Sequence, residues 1–158
     1  MSTPQAITPE GVTKHMVALL GTNVTAKKLP TQDIKGNQVY SLIHDEAGAL
    51  VCVILSDIAA AGSCGAALSK IPAGAVQDLV RKSQLLDEDL LANYHEIANV
   101  LTVLTTAAVG RRTILRTVAQ SKGLLEPDVD KFVKGAKTKV FLQVAIQGYP
   151  AGAMNLYL

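Results

Sequence analysis

The sequence has no tryptophan, few other aromatic residues (4%), only two cysteines and a net charge of just +2. Scarce aromatics leave few surfaces on which the bases of a nucleic acid could stack, and the small charge gives no field strong enough to attract a polyanion. Cys52 and Cys64 have no cysteine or histidine at metal-ligand spacing, which predicts two buried, reduced thiols. The sequence therefore disfavours nucleic-acid binding, a zinc site and a disulfide framework.

Long apolar segments are also missing. The best apolar run near the N-terminus is 16–20, too short for a signal peptide, which predicts a cytoplasmic protein. The uncharged segment 140–158 is interrupted by Gln143, Gln147 and Pro150, so it predicts a strand, a turn and a strand rather than a membrane span. The lysines within 131–139 stand beside acids and predict a solvated surface. We expect no membrane and no nucleic-acid partner.

Apolar residues make up 49% of the 158 residues, and because aromatics are rare the core must consist of Ala, Val, Leu and Ile. This length suits one domain with a core of its own, so we expect a single domain over residues 1–158. The mean hydropathy of +0.27 indicates apolar surface hidden in a partner. The simplest such partner is a second copy, which predicts a homodimer.

Capping and turn residues divide the chain into helices and strands. Thr8 and Pro9 begin a helix that Gly21 ends, and residues 45–48 form a turn between two strands. The predicted strands are 24–29, 38–44, 50–55, 113–119, 138–147 and 153–158, and the predicted helices are 9–20, 57–70, 74–83, 86–110 and 127–134. The first three strands suggest an antiparallel meander. The fold class is α+β, with one sheet of about six strands, long helices packed on it, and two similar halves that each run from a helix into three strands.

The segment 86–110 is the most regular in the chain. Asp87 is placed as the N-cap and Gly110 as the stop, and an apolar stripe follows the three-and-four spacing of a helix at Leu90, Tyr94, Ile97, Leu101, Leu104 and Ala108. At about 100° per residue, Glu96 and Asn99 lie roughly 60° apart on the other side, with small or apolar Ala92 and Val103 near them. An acid and an amide therefore stand together on a smooth, solvent-facing surface.

Other chemistry is absent from the sequence. Gly62 to Gly65 lacks the lysine and hydroxyl residue of a phosphate-binding loop, and no serine lies in a nucleophile elbow. The three histidines fall on three separate elements, and His95 reads as an exposed helix histidine. Kinase and serine-hydrolase functions are therefore disfavoured, and Glu96 and Asn99 are the candidate site residues.

The E-x-x-N sequence at 96–99, the helix segment 57–68 followed by Ile71-Pro72, and the turn 148–152 resemble the CheC, CheX and FliY family of chemotaxis phosphatases. The two-half plan around one sheet is similar to that family too, so the resemblance spans most of the chain. Glu10 and Thr13 replace a second E-x-x-N in the first helix, which makes the layout closest to single-site CheX. Ala92 stands where the family has Asp or Ser, and no proline follows the long helix near Lys122.

The resemblance implies a function. The family dephosphorylates the phosphoaspartate of a CheY-type response regulator by inserting its E-x-x-N helix into the regulator's active site. Asn99 would position the attacking water, and Glu96 would pair with the lysine beside the phosphorylation site. The chain would need no cofactor of its own, because the regulator supplies Mg²⁺.

The sequence is also consistent with two other functions. One is a non-catalytic, dimeric CheC-like module that binds a response regulator without hydrolysis. The other is a small-molecule binder that uses a cleft beside the Ala-rich helix.

Overall fold

The computed structural model describes residues 3–158, which form five helices and six strands. In chain order they are α1 (Pro9–Leu20), β1 (Val24–Leu29), β2 (Gln38–Asp45), β3 (Leu50–Asp57), α2 (Ile58–Leu68), α3 (Ala73–Arg81), α4 (Glu88–Val109), β4 (Thr113–Ser121), α5 (Pro127–Gly135), β5 (Lys139–Ile146) and β6 (Gly152–Tyr157). None of the helices in this range is both long and apolar enough to cross a membrane.

The caps predicted from the sequence set the helix ends. The Thr8 side chain accepts from the Gly11 amide at 3.0 Å and begins α1, and Gly21 ends it in a left-handed conformation. Asp87 caps α4 through the Leu90 amide at 2.9 Å, and Gly110 ends that helix at a φ of 81°. The predicted long helix over 86–110 is thus confirmed.

All six strands form one antiparallel sheet in the order β1-β5-β6-β3-β2-β4. The predicted α+β class, six-stranded sheet and two similar halves are confirmed, since α1-β1-β2-β3 and α4-β4-β5-β6 repeat one plan. The predicted meander is wrong for β1, which pairs with β5 at the far edge instead of with β2. In the same way β4 pairs with β2 of the other half, so each half gives its first strand to the other.

The two faces of the sheet are covered differently. Helices α1, α2 and α4 pack on one face, where the larger core includes Val39, Ile54 and Leu156. Alternate residues of the same strands face the other way and form a smaller core with α5, which includes Tyr40, Leu55 and Tyr157. The sheet therefore separates the surface of α4 from the surface around α5.

The two thiols lie in the larger core. Cys52 and Cys64 are free and buried, as predicted, and burial raises the pKa of each to about 12. For Cys64 the nearby charge of Asp57 adds to the effect of burial. Both groups stay protonated at neutral pH, which makes them packing residues rather than nucleophiles.

Candidate functional site

The inner side of α4 is buried along most of its length. The predicted stripe residues Leu90, Tyr94, Ile97 and Leu101 are at most 2% exposed, while Leu104 and Ala108 are partly buried. Burial of apolar surface stabilises the packing of a helix face against its sheet by about 25 cal/mol for each Å² removed from water. The orientation of α4, and so of its outer face, is set by this packing.

Polar contacts fix α4 further. The Tyr94 hydroxyl lies 2.6 Å from Ser56 Oγ beneath the helix, and burial raises the pKa of Tyr94, which keeps this hydroxyl protonated. Asn93 Nδ2 donates to the carbonyl of Gly65 at 2.9 Å and to Ser69 Oγ at 2.7 Å. These bonds join α4 to β3 and to α2, so the helix cannot rotate without breaking them.

Glu96 and Asn99 lie on the opposite side of α4, and both are exposed. Neither side chain takes part in an ion pair or side-chain hydrogen bond within residues 3–158; the Asn99 carbonyl accepts from Thr102 Oγ1 at 2.6 Å. A carboxylate and an amide are therefore both free to bind a partner. The structure brings the two predicted site residues together on one exposed helix surface.

The surface around this pair is smooth and continuous. Ala92 is exposed, and Val103 is 56% exposed. With Glu88 they form a stripe along the helix that we call the α4 stripe: Glu88, Ala92, Glu96, Asn99 and Val103. At 1.5 Å per residue the stripe is roughly 22 Å long, enough to lie across the surface of a small domain.

A depression of about 510 Å³ runs beside Glu96, between α4 and β4. Leu91, Ala92 and Val118 give it an apolar floor, and Glu88, His95 and Glu96 complete its lining. His95 is exposed, as predicted. The sequence pattern on α4 could not locate this depression, because Val118 comes from a strand that the helix meets only in the fold.

The site holds no metal-ligand cluster of its own. Within residues 3–158 no group of three or more His, Cys, Asp or Glu side chains is arranged to hold a metal ion. Glu88 and Glu96 are two helical turns apart, too far to share one ion. The chemistry that the α4 stripe offers is an amide to orient a water molecule and acids to pair with a cation.

The fold is that of the CheC/CheX/FliY structural family, as the sequence resemblance predicted. FliY from Thermotoga maritima is similar over 98% of this chain and 92% of its own, with 15% identity and a TM-score of 0.58. A chain of the CheX-CheY-BeF3-Mg²⁺ complex from Borrelia burgdorferi is similar over 92% of this chain and 91% of its own, with 17% identity and a TM-score of 0.58.

The FliM middle domain from Helicobacter pylori has the same architecture, over 94% of this chain and 83% of its own, with 11% identity and a TM-score of 0.56. No family model and no curated protein matches the sequence. Sequence identity to these three proteins is only 11–17%, so what they share with this chain is the fold.

Proposed function

We propose that this protein is a CheX-like phosphatase that hydrolyses the phosphoaspartate of a cytoplasmic CheY-type response regulator in chemotaxis or two-component signalling. The observation that carries the proposal is the exposed pair Glu96 and Asn99 on a rigidly held helix. Support for the partner comes from the shared fold with the CheX-CheY complex of Borrelia burgdorferi.

Hydrolysis of an acyl phosphate needs a water molecule in line with the bond that breaks. Asn99 accepts a hydrogen bond from this water through Oδ1 and aims it at phosphorus, opposite the aspartyl oxygen. The new bond joins water oxygen to phosphorus, the bond from phosphorus to the aspartyl oxygen breaks, and the products are a free aspartate and inorganic phosphate. No covalent intermediate on this chain is required.

Glu96 acts as the docking acid. Its carboxylate pairs with a lysine of the regulator. Glu96 forms no ion pair within residues 3–158, which leaves it available for that contact. The depression beside Glu96 receives an apolar side chain of the regulator, since Leu91 and Val118 give it an apolar floor. The metal in this reaction belongs to the regulator, where Mg²⁺ neutralises the phosphoryl charge.

The test follows phosphate loss from receiver domains phosphorylated with acetyl phosphate. We expect Asn99→Ala to lower the rate at saturating regulator by about 100-fold, because the water loses its positioning group. We expect Glu96→Ala to weaken regulator binding by about tenfold while changing the saturated rate little. Asn23→Ala and Glu46→Ala are matched controls, since both residues are exposed and lie outside α4. Decay that the wild-type protein does not accelerate, for every regulator tried, would contradict the enzymatic function.

One observation favours a second function. Ala92 lies on the α4 stripe one turn before Glu96, at the position where the resembling family has Asp or Ser. A non-catalytic module would bind the regulator through the same stripe without turnover. Binding with no phosphate release by the wild-type protein, and release restored in Ala92→Asp or Ala92→Ser, would establish this second function.

The proposal includes a homodimer. The mean hydropathy of +0.27 supports it, as do the outer edges of β1 and β4, neither of which pairs with a second strand within residues 3–158. Sedimentation equilibrium measures the mass directly. A protein that remains monomeric at about 100 µM, far above the dissociation constants of most obligate dimers, would contradict this part of the proposal.

A further inference from the structure

A second candidate site lies on the sheet face opposite α4. A cavity of about 430 Å³ opens there between the sheet, α5 and the loops that precede β2 and α5. Leu55, Leu125 and Val133 contribute apolar walls, and polar side chains from β2 and β6 form the floor. The volume suits a small molecule of several non-hydrogen atoms.

One part of the floor is a hydrogen-bond network centred on Asn155. Asn155 is 1% exposed; its Oδ1 accepts from Gln32 Nε2 at 2.8 Å, and its Nδ2 donates to the Gln32 carbonyl at 2.8 Å and to the Tyr157 hydroxyl at 3.1 Å. The Tyr157 oxygen is thus an acceptor in this network, and its own hydrogen has no acceptor within residues 3–158. Tyr157 therefore offers one donor to the cavity.

Gln38 is the other polar part of the floor. The residue is 6% exposed and lines the cavity, and its side-chain amide makes no hydrogen bond within the described residues. Gln38 therefore presents a carbonyl acceptor and two N–H donors that an occupant of the cavity can use.

The rim of the cavity carries one uncompensated charge. Asp130 is paired with Lys134 at 2.8 Å, whereas Asp33 is exposed and forms no ion pair within residues 3–158. Burial raises the pKa of the Tyr157 hydroxyl, and the negative charge of nearby Asp33 raises it further. Asp33 thus supplies the unpaired negative charge of the rim.

We propose that this cavity binds a small primary amine that carries a hydroxyl or carbonyl oxygen. The ammonium group pairs with Asp33 at the rim, the oxygen bonds to the Gln38 amide and the Tyr157 hydroxyl, and the short carbon chain lies against Leu55 and Val133. The sheet separates this site from the α4 stripe, so the ligand can occupy it while a protein partner covers α4.

The test is a titration of the isotope-labelled full chain with 5-amino-1-pentanol, followed by the Gln38 and Asn155 side-chain amide resonances. We expect saturable shifts of both, with the neutral 1,5-pentanediol and the anionic 5-hydroxypentanoate binding at least about threefold more weakly, as expected for loss of one exposed ion pair. Shifts that do not saturate, shifts confined to other parts of the fold, or equal binding of the anion would overturn the proposal.

Variants separate the two ends of the site. Asp33→Asn is expected to weaken amine binding by about threefold, and Gln38→Leu by about fivefold, because each removes one contact. Asp128→Asn is the matched control, an exposed acid at the start of α5 that does not line this cavity. Because Asp33 is exposed, its variant tests the proposal even if Gln38→Leu fails to fold; affinity unchanged in Asp33→Asn would overturn it.

Discussion

At the scale of single residues, Gly65 decides how closely α2 and α4 approach. A methyl group on this residue would lie 2.6 Å from the carbonyl oxygen of Leu90, a backbone atom that cannot move aside alone. Asn93 also uses the Gly65 carbonyl as its acceptor, so the same residue supports both the packing and a hydrogen bond of the site helix. The exact placement of Glu96 and Asn99 therefore depends on a residue without a side chain.

We predict that Gly65→Ala lowers the free energy of unfolding by about 1–3 kcal/mol, because α4 must shift to relieve the overlap. Gly74→Ala in α3 is the matched control: it also lies in a helix, nothing lies within 4 Å of the added methyl, and a small gain of about 0.5–1 kcal/mol is expected. Urea denaturation measures both. Equal changes in the free energy of unfolding for the two substitutions would show that α2 and α4 can move apart without loss of stability.

At the scale of the element, the start of α2 depends on a partly desolvated acid. Asp57 caps the helix by accepting from the Ala60 amide at 2.8 Å, and burial raises the pKa of this carboxyl despite the bond. The folded protein therefore holds this proton to higher pH than the unfolded chain does. The resulting contribution to stability is present at low pH and is lost as pH rises through the folded pKa.

Substitution of Asp57 tests this sign. Asp57→Ser keeps a capping oxygen without a charge, so its stability relative to the wild type should increase as pH rises from the ordinary carboxyl range toward neutrality. Asp57→Ala lacks the cap and should be about 1 kcal/mol less stable than Asp57→Ser at every pH. Urea denaturation from pH 4 to 8 measures both differences, with the exposed Asp89→Asn as control. If the difference in the free energy of unfolding between Asp57→Ser and the wild type does not change with pH, the prediction is wrong.

Also at this scale, the sequence predicted the positions of the helices and strands far better than it predicted which strands pair. Caps, turn residues and apolar periodicity are local signals, and they placed α1, α4 and every strand within a few residues. The pairing of β1 with β5 was missed because no local pattern near Val24 specifies a partner strand so distant in the chain.

The candidate site shows the same division between local and distant signals. Exposure of Glu96 and Asn99 follows from helix periodicity and was predicted. The contacts of Tyr94 with Ser56 and of Asn93 with Gly65, the depression at Val118 and the cavity at Gln38 all need residues that meet only in the fold. The sequence could identify the site residues, but it could not show what holds them or what lies beside them.

At the scale of the whole molecule, the exchange of β1 and β4 makes the halves interdependent. Without β5, β1 would have no partner strand, and β4 without β2 would be in the same position. We predict that fragments 1–84 and 85–158 are each unfolded alone and regain the native amide spectrum when mixed. NMR dispersion of each fragment and of the mixture measures this; a fragment that folds by itself would show that each half has a sufficient core.

The exchanged first strand also has a consequence for synthesis on the ribosome. Val24–Leu29 leaves the exit tunnel long before its partner Lys139–Ile146 is made. At roughly 5–20 residues per second, β1 waits on the order of ten seconds with both edges open. Lys27 and Lys28 lie in this strand, and charged residues of this kind protect an unpaired edge against neighbouring nascent chains.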